Sequence, residues 1–319
     1  MQLIRCLSDY SKPPGGVALA IGNFDGFHLG HQAVIVRMRE KAAGLGLVPA
    51  VMIFEPQPLE LFSHSAPARL YSLRDKLLAL RRAGVELVFC MRFTPKFASM
   101  GADAYVAELL YRKLGVRSVT VGTLFNFGRG GRATIEDLAR LGAPLGLEAS
   151  AIPGVMLDGV RISSTLIRRY LEFGSLEQAA RALGRPYSIS GKVVHGNEIG
   201  RTLGFPTANI NINRRVSPVL GVYAVKIRLD DGRLFDGIAN VGYRPTIENH
   251  PVRSILEVNL FDFDGDLYGR ALEVFFVSRL RRETRFPGLD ELSRQLALDR
   301  RNARAAFARF IFNQSDFNR

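Results

Sequence analysis

Between residue 17 and about residue 183 the chain alternates short apolar runs with longer segments of helical periodicity, and that alternation leaves few folds open. The runs "VALAI", "VPAVMIF", "VELVFCM", "VRSVTVG" and "LEASAIP" read as strands. Between them "HQAVIVRMREKAAG", "SLRDKLLALRRAG" and "GADAYVAELLYRKLG" carry apolar residues at helical spacing, and the last two end in glycine, as helices often do. Strand and helix in turn predict a parallel, doubly wound α/β sheet, whose ligand sits at the carboxyl ends of the strands. The stretch "IGNFDGFHLGH", Ile21 to His31, lies at one of those ends and leads from a strand into a helix.

After the helical stretch "SSTLIRRYLEFGSLEQAARALG" the texture changes at "RPYSISGKVVHG". From there "YSISGKVV", "GVYAVKIRL", "DGRLFDGIANVG", "RSILEVNLF" and "GRALEVFFV" read as strands separated by turn signals. Asp231–Gly232 and Asp264–Gly265 suit tight hairpins. These runs predict an antiparallel β-barrel, and "GLDELSRQLALDRRNARAAFARFIF" predicts a C-terminal helix packed on it. The expected domains are therefore 1–184 and 185–319. A chain of 319 residues suits two domains at roughly 100–200 residues each.

Charge and cysteine content narrow the function classes. The net charge of +13 suits a polyanionic partner, but the basic residues are dispersed rather than gathered in one block, which favours phosphorylated small molecules over nucleic acid. Cys6 and Cys90 are too few for a disulfide framework or a cysteine-rich zinc site, and Cys90 lies in an apolar strand as an inert thiol. No apolar run approaches the roughly 20 residues of a membrane span, and the N-terminus lacks the order of a signal peptide. A cytoplasmic enzyme with no membrane partner, monomeric or weakly self-associating, is the expectation.

Two of the chain's five histidines, His28 and His31, fall in the opening turn with Gly22, Asn23, Phe24, Asp25 and Gly30. Gly30 lets a ligand approach the backbone, and the helix N-terminus behind it supplies N–H groups suited to phosphate. Histidines there donate hydrogen bonds to phosphate oxygens as negative charge moves onto them. Capping histidines or half of a zinc site are the alternatives, though no third ligand lies nearby and no HExxH pattern occurs.

"GNFDGFHLGH" resembles the HxGH signature of the nucleotidylyltransferases, and "RISSTLIRRYL" resembles their ISSTxxR element. With "FEPQPLELF" and "LGRPYSISGKVVHG", the order and spacing are similar to the bacterial bifunctional riboflavin kinase/FMN adenylyltransferase family over about residues 15–308. The resemblance implies an N-terminal nucleotidyltransferase domain that joins FMN to the adenylyl group of ATP. His28 and His31 would contact the ATP phosphates, Ser164 and Thr165 would hydrogen-bond them, and Arg168 would stabilise the leaving pyrophosphate. Gly22, Asn23, Phe24, Asp25 and Gly30 would shape the ATP site. One loop departs from the family's Gly-Asp-Asp-Phe-Arg-Phe-Gly: here "GTLFNFGRGGRAT" places Thr123, Leu124, Asn126 and Ala133 at altered positions. Leu124 has no side-chain hydrogen bond to offer, so the departure bears on the flavin side of the site, at Leu124 and Asn126.

"HGNEIGRTLGFPTANI" is not a Walker A loop, and its glycines would suit plain turns, but "GFPTAN" is similar to the flavokinase motif. The resemblance implies that Gly200, Gly204, Pro206 and Thr207 bind ATP, that Thr207 and Asn209 hold Mg²⁺, and that Glu257 in "ILEVNLF" is the base for the riboflavin hydroxyl. On alternation alone Glu257 is an outward-facing strand residue. Arg244 in "ANVGYRPTI" is placed near the flavin, and "RRETRF" around Arg285 matches a family segment that would otherwise be a solvated face. Two other functions stay open at this point: a riboflavin kinase whose adenylyltransferase domain is weakened, and a basic nucleic-acid-binding module on the same fold.

Overall fold

The computed structural model describes residues 1–63, 65–195, 205–212, 216–243 and 254–309. Contacts divide the chain into two compact units, residues 1–67 with 73–163, and residues 68–72 with 164–319.

The first unit is a parallel six-stranded sheet of β1 (Gln2–Ile4), β2 (Val17–Ile21), β3 (Val48–Glu55), β4 (Leu87–Arg92), β5 (Val116–Gly122) and β6 (Glu148–Ile152), in the order β1-β4-β3-β2-β5-β6. Five of these are the expected apolar runs. β1 lies in an N-terminal stretch with no strand pattern and pairs in parallel with β4 at the sheet edge. All five residues of β2 are buried, as expected of a strand covered on both faces. Around the sheet lie α1 (Leu29–Leu45), α2 (Pro58–Phe62), α3 (Leu73–Arg82), α4 (Pro95–Ala98), α5 (Ala102–Ala104) and α6 (Ile135–Gly142). α5 runs on as a π-helix over Tyr105–Lys113, in which Tyr105, Val106, Leu109 and Leu110 are buried. A small hairpin of β7 (Met156–Leu157) and β8 (Val160–Arg161) turns through Asp158 and Gly159, both at positive φ.

Apart from β1 at the edge, chain order along the sheet runs outward in both directions from the β2–β5 pair. The topological switch point therefore lies where those two strands end, and a crevice for ligand opens there in sheets of this type. The turn carrying His28 leaves β2 at that end, and the loop carrying Leu124 leaves β5 beside it.

The second unit begins with α7 (Ser164–Phe173) and α8 (Leu176–Leu183), which break at Gly174, φ 76°. It continues as a closed barrel of β9 (Ser188–Val194), β10 (Ala208–Asn211), β11 (Gly221–Leu229), β12 (Leu234–Tyr243), β13 (Ser254–Leu260) and β14 (Ala271–Arg281), ordered β10-β13-β12-β11-β14-β9. α9 (Leu289–Ala308) packs its buried Ala303 with Val222, Ala224, Phe261 and Val277. By contacts α7 and α8 go with the barrel, although the expected boundary falls behind them. Arg279 of β14 donates to the Glu172 carbonyl of α7 at 3.3 Å, and Tyr187 donates to the Leu70 carbonyl at 3.1 Å.

Asp231–Gly232 makes the expected turn between the paired β11 and β12, with Gly232 at φ 88°. Asp264–Gly265 does not. It lies in the connection from β13 to β14, and β14 pairs with β11 and β9 because barrel closure, not sequence adjacency, chooses its neighbours.

Among the ion pairs between α9 and the barrel, the one at Asp299 is buried. Arg281 donates from Nε to both carboxylate oxygens of Asp299 at 3.1 and 3.0 Å and from Nη2 at 2.9 Å, while Gln295 donates to Oδ1 at 2.8 Å. Asp299 is 1% exposed, so removing either partner strands a buried charge. Arg281→Ala is expected to destabilise the barrel unit by about 3–5 kcal/mol, read from urea unfolding followed by circular dichroism. A loss below about 1 kcal/mol would mean the pair behaves like a surface bridge.

Candidate functional site

The turn after β2 is strained and rigid. Phe24 and Phe27 take positive φ of 47° and 45°, costly for residues with bulky side chains, with Gly26 at 80° between them. Burial holds them there: Phe24 is 1% exposed, with its ring against Gly22, where an added Cβ would come within 3.3 Å of it. Asp25 is buried in the same turn.

The turn delivers His28 to the N-cap of α1, where its Nδ1 accepts the backbone N–H of His31 at 3.2 Å. An accepting Nδ1 carries no proton, so the neutral ring bears its hydrogen on Nε2. The two imidazoles stack at 3.6 Å and 15°, and Phe24 closes the far side of His31 at 5.2 Å. A Cβ at Gly30 would lie a tight 3.2 Å from the His28 ring, so glycine there spares that ring a shift.

Burial, then the neighbouring His28 and then the Lys76 charge, push the His31 pKa well below the ordinary histidine value. His31 is therefore neutral at physiological pH. Its Nδ1 and the Asn23 Oδ1 are buried without a hydrogen-bond partner among the described residues. Two orphaned polar atoms in one turn are what a ligand would satisfy. Lys76, on α3, is 1% exposed; nothing in the sequence singled it out beyond a lysine amid apolar helical positions.

The loop after β5 keeps a defined course despite its altered residues. Phe127 and Ala133 exchange backbone hydrogen bonds at 3.0 and 3.1 Å, and Gly128, Gly130 and Gly131 turn at positive φ between them. Leu124 is 67% exposed and Asn126 is exposed as well. The same unit holds an aromatic cluster the sequence did not announce as a group. Phe93 contacts Phe54 at 5.5 Å, Phe62 at 5.9 Å and Phe97 at 5.7 Å, and Phe62 is 66% exposed. Phe54 and Phe62 are the two ends of "FEPQPLELF".

In the second unit Ser164 and Thr165 open α7, with Thr165 exposed. Arg168, one turn on, donates from Nε to the Ala68 carbonyl at 2.6 Å, which holds the guanidinium in place.

In the barrel, β10 begins at Ala208, directly after Thr207, and places Asn209 opposite Glu257 of β13. Glu257 in turn lies opposite Asn240 of β12. Leu256, Val258 and Leu260 point into the barrel, so Glu257 takes the outward, half-buried face expected from alternation, flanked on that face by the two asparagines. The Oδ1 atoms of Asn209 and Asn240 are buried without a partner among the described residues. Asn240 was missed because its only sequence signal was membership of "ANVGYRPTI".

Asn259 donates to the Pro206 carbonyl at 2.8 Å and so ties the Pro206–Thr207 segment to β13. A cavity of about 570 Å³ is lined there by Pro206, Thr207, Val258, Asp264 and Tyr268. Gly200, Gly204 and Arg244 lie outside the described residues. Among the described residues no cluster of three His, Cys, Asp or Glu side chains is placed to hold a metal, and no helix is long and apolar enough to cross a membrane. Cys90 is buried, and burial raises its thiol pKa.

The family described as FAD synthetase matches residues 11–166, and the family described as riboflavin kinase matches residues 183–307. An α/β unit with a histidine-capped helix at its switch point, followed by a flavokinase barrel, defines the class as enzymes of flavin-nucleotide synthesis. The chain belongs to the bifunctional riboflavin kinase/FMN adenylyltransferase family. It is 44% identical over 308 residues to the protein of that description from Haemophilus influenzae, covering 96% of this chain and 99% of the relative. The Pseudomonas fluorescens relative is 42% identical over 309 residues, covering 97% and 98%. A solved structure from Streptococcus pneumoniae, described as a macrolide-efflux protein, superposes with a TM-score of 0.80 at 30% identity over 95% of this chain and 98% of that one.

Proposed function

We propose that the chain phosphorylates riboflavin to FMN in the barrel and joins FMN to the adenylyl group of ATP in the α/β unit, giving FAD and pyrophosphate. The observation that carries this is the presence, on one chain, of two sites with orphaned polar atoms, each inside its own family match. Both matches on one chain support two activities over a kinase with a silent partner domain. Dispersed basic residues favour anionic small molecules over nucleic acid as partners.

In the kinase reaction Glu257 accepts the proton of the ribityl 5′-hydroxyl as its oxygen bonds to the γ-phosphorus, and the bond from that phosphorus to the bridging oxygen breaks to release ADP. Asn209 and Asn240 hold the carboxylate and the substrate in register on the same face. The oxygen donors Thr207 and Asn209 suit Mg²⁺, and the unpartnered Asn209 Oδ1 fits such a role. Bound there, Mg²⁺ would neutralise phosphate charge.

In the adenylyl transfer a phosphate oxygen of FMN bonds to the α-phosphorus of ATP, and the bond to the bridging oxygen breaks to release pyrophosphate. No protein nucleophile is needed. His28 donates from Nε2 to the phosphate chain, neutral His31 completes the cradle with Asn23, and Gly22, Phe24, Asp25 and Gly30 hold its shape. The resemblance of "RISSTLIRRYL" to the ISSTxxR element assigns hydroxyl and guanidinium donors for the ATP phosphates to Ser164, Thr165 and Arg168. Leu124, Asn126 and the exposed Phe62 offer apolar and polar contacts to the flavin.

A time course with riboflavin and Mg-ATP should show FMN rising first and FAD following. FMN accumulating with no FAD would establish a kinase alone. Leu124→Asp tests the altered loop: with no charge facing it from the flavin, the exposed leucine is expected to be the better apolar contact here. The variant should raise the KM for FMN by about 10-fold, in line with the 1–3 kcal/mol that one apolar contact contributes, and leave the KM for ATP unchanged. A lower KM for FMN would show that the leucine is a defect instead.

A further inference from the structure

The second unit contains a groove that neither reaction uses. It lies against α8, β14 and α9, and its cavity of about 590 Å³ falls within the roughly 300–1,000 Å³ of small-molecule sites. The lining residues include the apolar Leu176, Ala180, Phe276 and Ala306, three arginines, Arg181, Arg279 and Arg309, and one acidic residue, Glu177. Ser278 and Asn302 add neutral hydrogen-bonding groups.

Arg279 is set in place before any ligand arrives. It packs against Gly174, where an added Cβ would come within 2.9 Å of its Cδ, and its Nη1 donates to the Glu172 carbonyl at 3.3 Å. Its Nε is buried with no hydrogen-bond partner among the described residues. The buried Nε lies out of a ligand's reach, but a guanidinium fixed in this way offers phosphate its outer N–H groups without first having to be ordered. Apolar walls of this extent exceed what a bare phosphate needs and suit a planar ring.

From this charge complementarity and size we infer that the groove binds a nucleoside polyphosphate, separately from the two catalytic sites. The phosphates lie on Arg181, Arg279 and Arg309, the base lies along the apolar wall, and Asn302 meets polar atoms of the base or sugar. Such a site would let nucleotide level act on the barrel through β14, the strand that also carries Arg281.

Equilibrium dialysis with radiolabelled ADP tests this on the full chain, comparing the parent with Arg181→Glu/Arg309→Glu, which spares Arg279 and its contact to α7. The parent is expected to bind about one equivalent more ADP at saturation than the double variant, with the KM for ATP unchanged in both reactions. Equal stoichiometry overturns the inference. So does a loss accompanied by a changed KM for ATP, which would place the nucleotide in a catalytic site. Should the double variant not fold by circular dichroism, Asn302→Ala/Arg309→Ala, both at exposed positions on or beside α9, replaces it under the same criteria. If ADP binding is equal but the parent self-associates in sedimentation and the double variant does not, the groove belongs to a second copy of the chain and the inference fails.

Discussion

Replacing His28 by alanine is expected to lower FAD formation from supplied FMN by about 10²–10³-fold, the usual cost of deleting one preorganised donor, and to leave FMN formation from riboflavin unchanged. Three local consequences act together. The Nε2–H donor is lost. The N-cap acceptor for the His31 N–H is lost, which costs about 1 kcal/mol of helix stability. His31 also loses the stacked ring that shares its burial and lowers its pKa. His28→Asn separates these effects, because its amide can still cap α1 from its oxygen. A variant that recovers thermal stability but not adenylyl transfer assigns the loss to the donor. Equal loss of both activities would sink the two-site assignment.

Glu257→Gln should do the reverse, lowering riboflavin phosphorylation by about 10²–10⁴-fold while FMN adenylylation proceeds as in the parent. The glutamine keeps the side chain's shape on the face it shares with Asn209 and Asn240, so little stability should be lost. What it removes is a proton acceptor. Unchanged kinase turnover would exclude Glu257 as the base and turn attention to the other acidic groups near Thr207, Asp264 first.

Much of the fold was legible because its signals are local. Strands buried on both faces of a parallel sheet read as continuous apolar runs, and five of the six strands in that sheet were found this way. β1 and β10 escaped because three or four residues carry no period to detect. Both are held by long-range pairing, β1 with β4 and β10 with β13 and β9. The same limit explains Asp264–Gly265, a pair that suits a tight hairpin but lies in a longer connection between two strands that do not pair.

The sequence by itself determined the two architectures, their order, and the stretches that carry chemistry: the turn ending in His28 and His31, the segment from Ser164, and the "GFPTAN" and "ILEV" runs. Only the tertiary structure decided what those residues are in a position to do. It made His28 a helix cap whose accepting Nδ1 leaves Nε2 as donor, stacked it on His31, and brought the Lys76 charge near enough to act on that ring. It set Asn240 beside Glu257, and it assembled three arginines from α8, β14 and the end of α9 around one groove. Periodicity records which face of an element is buried. Hydrogen-bond partners, desolvation and charge coupling depend on groups distant in sequence, and no local pattern encodes which of them meet.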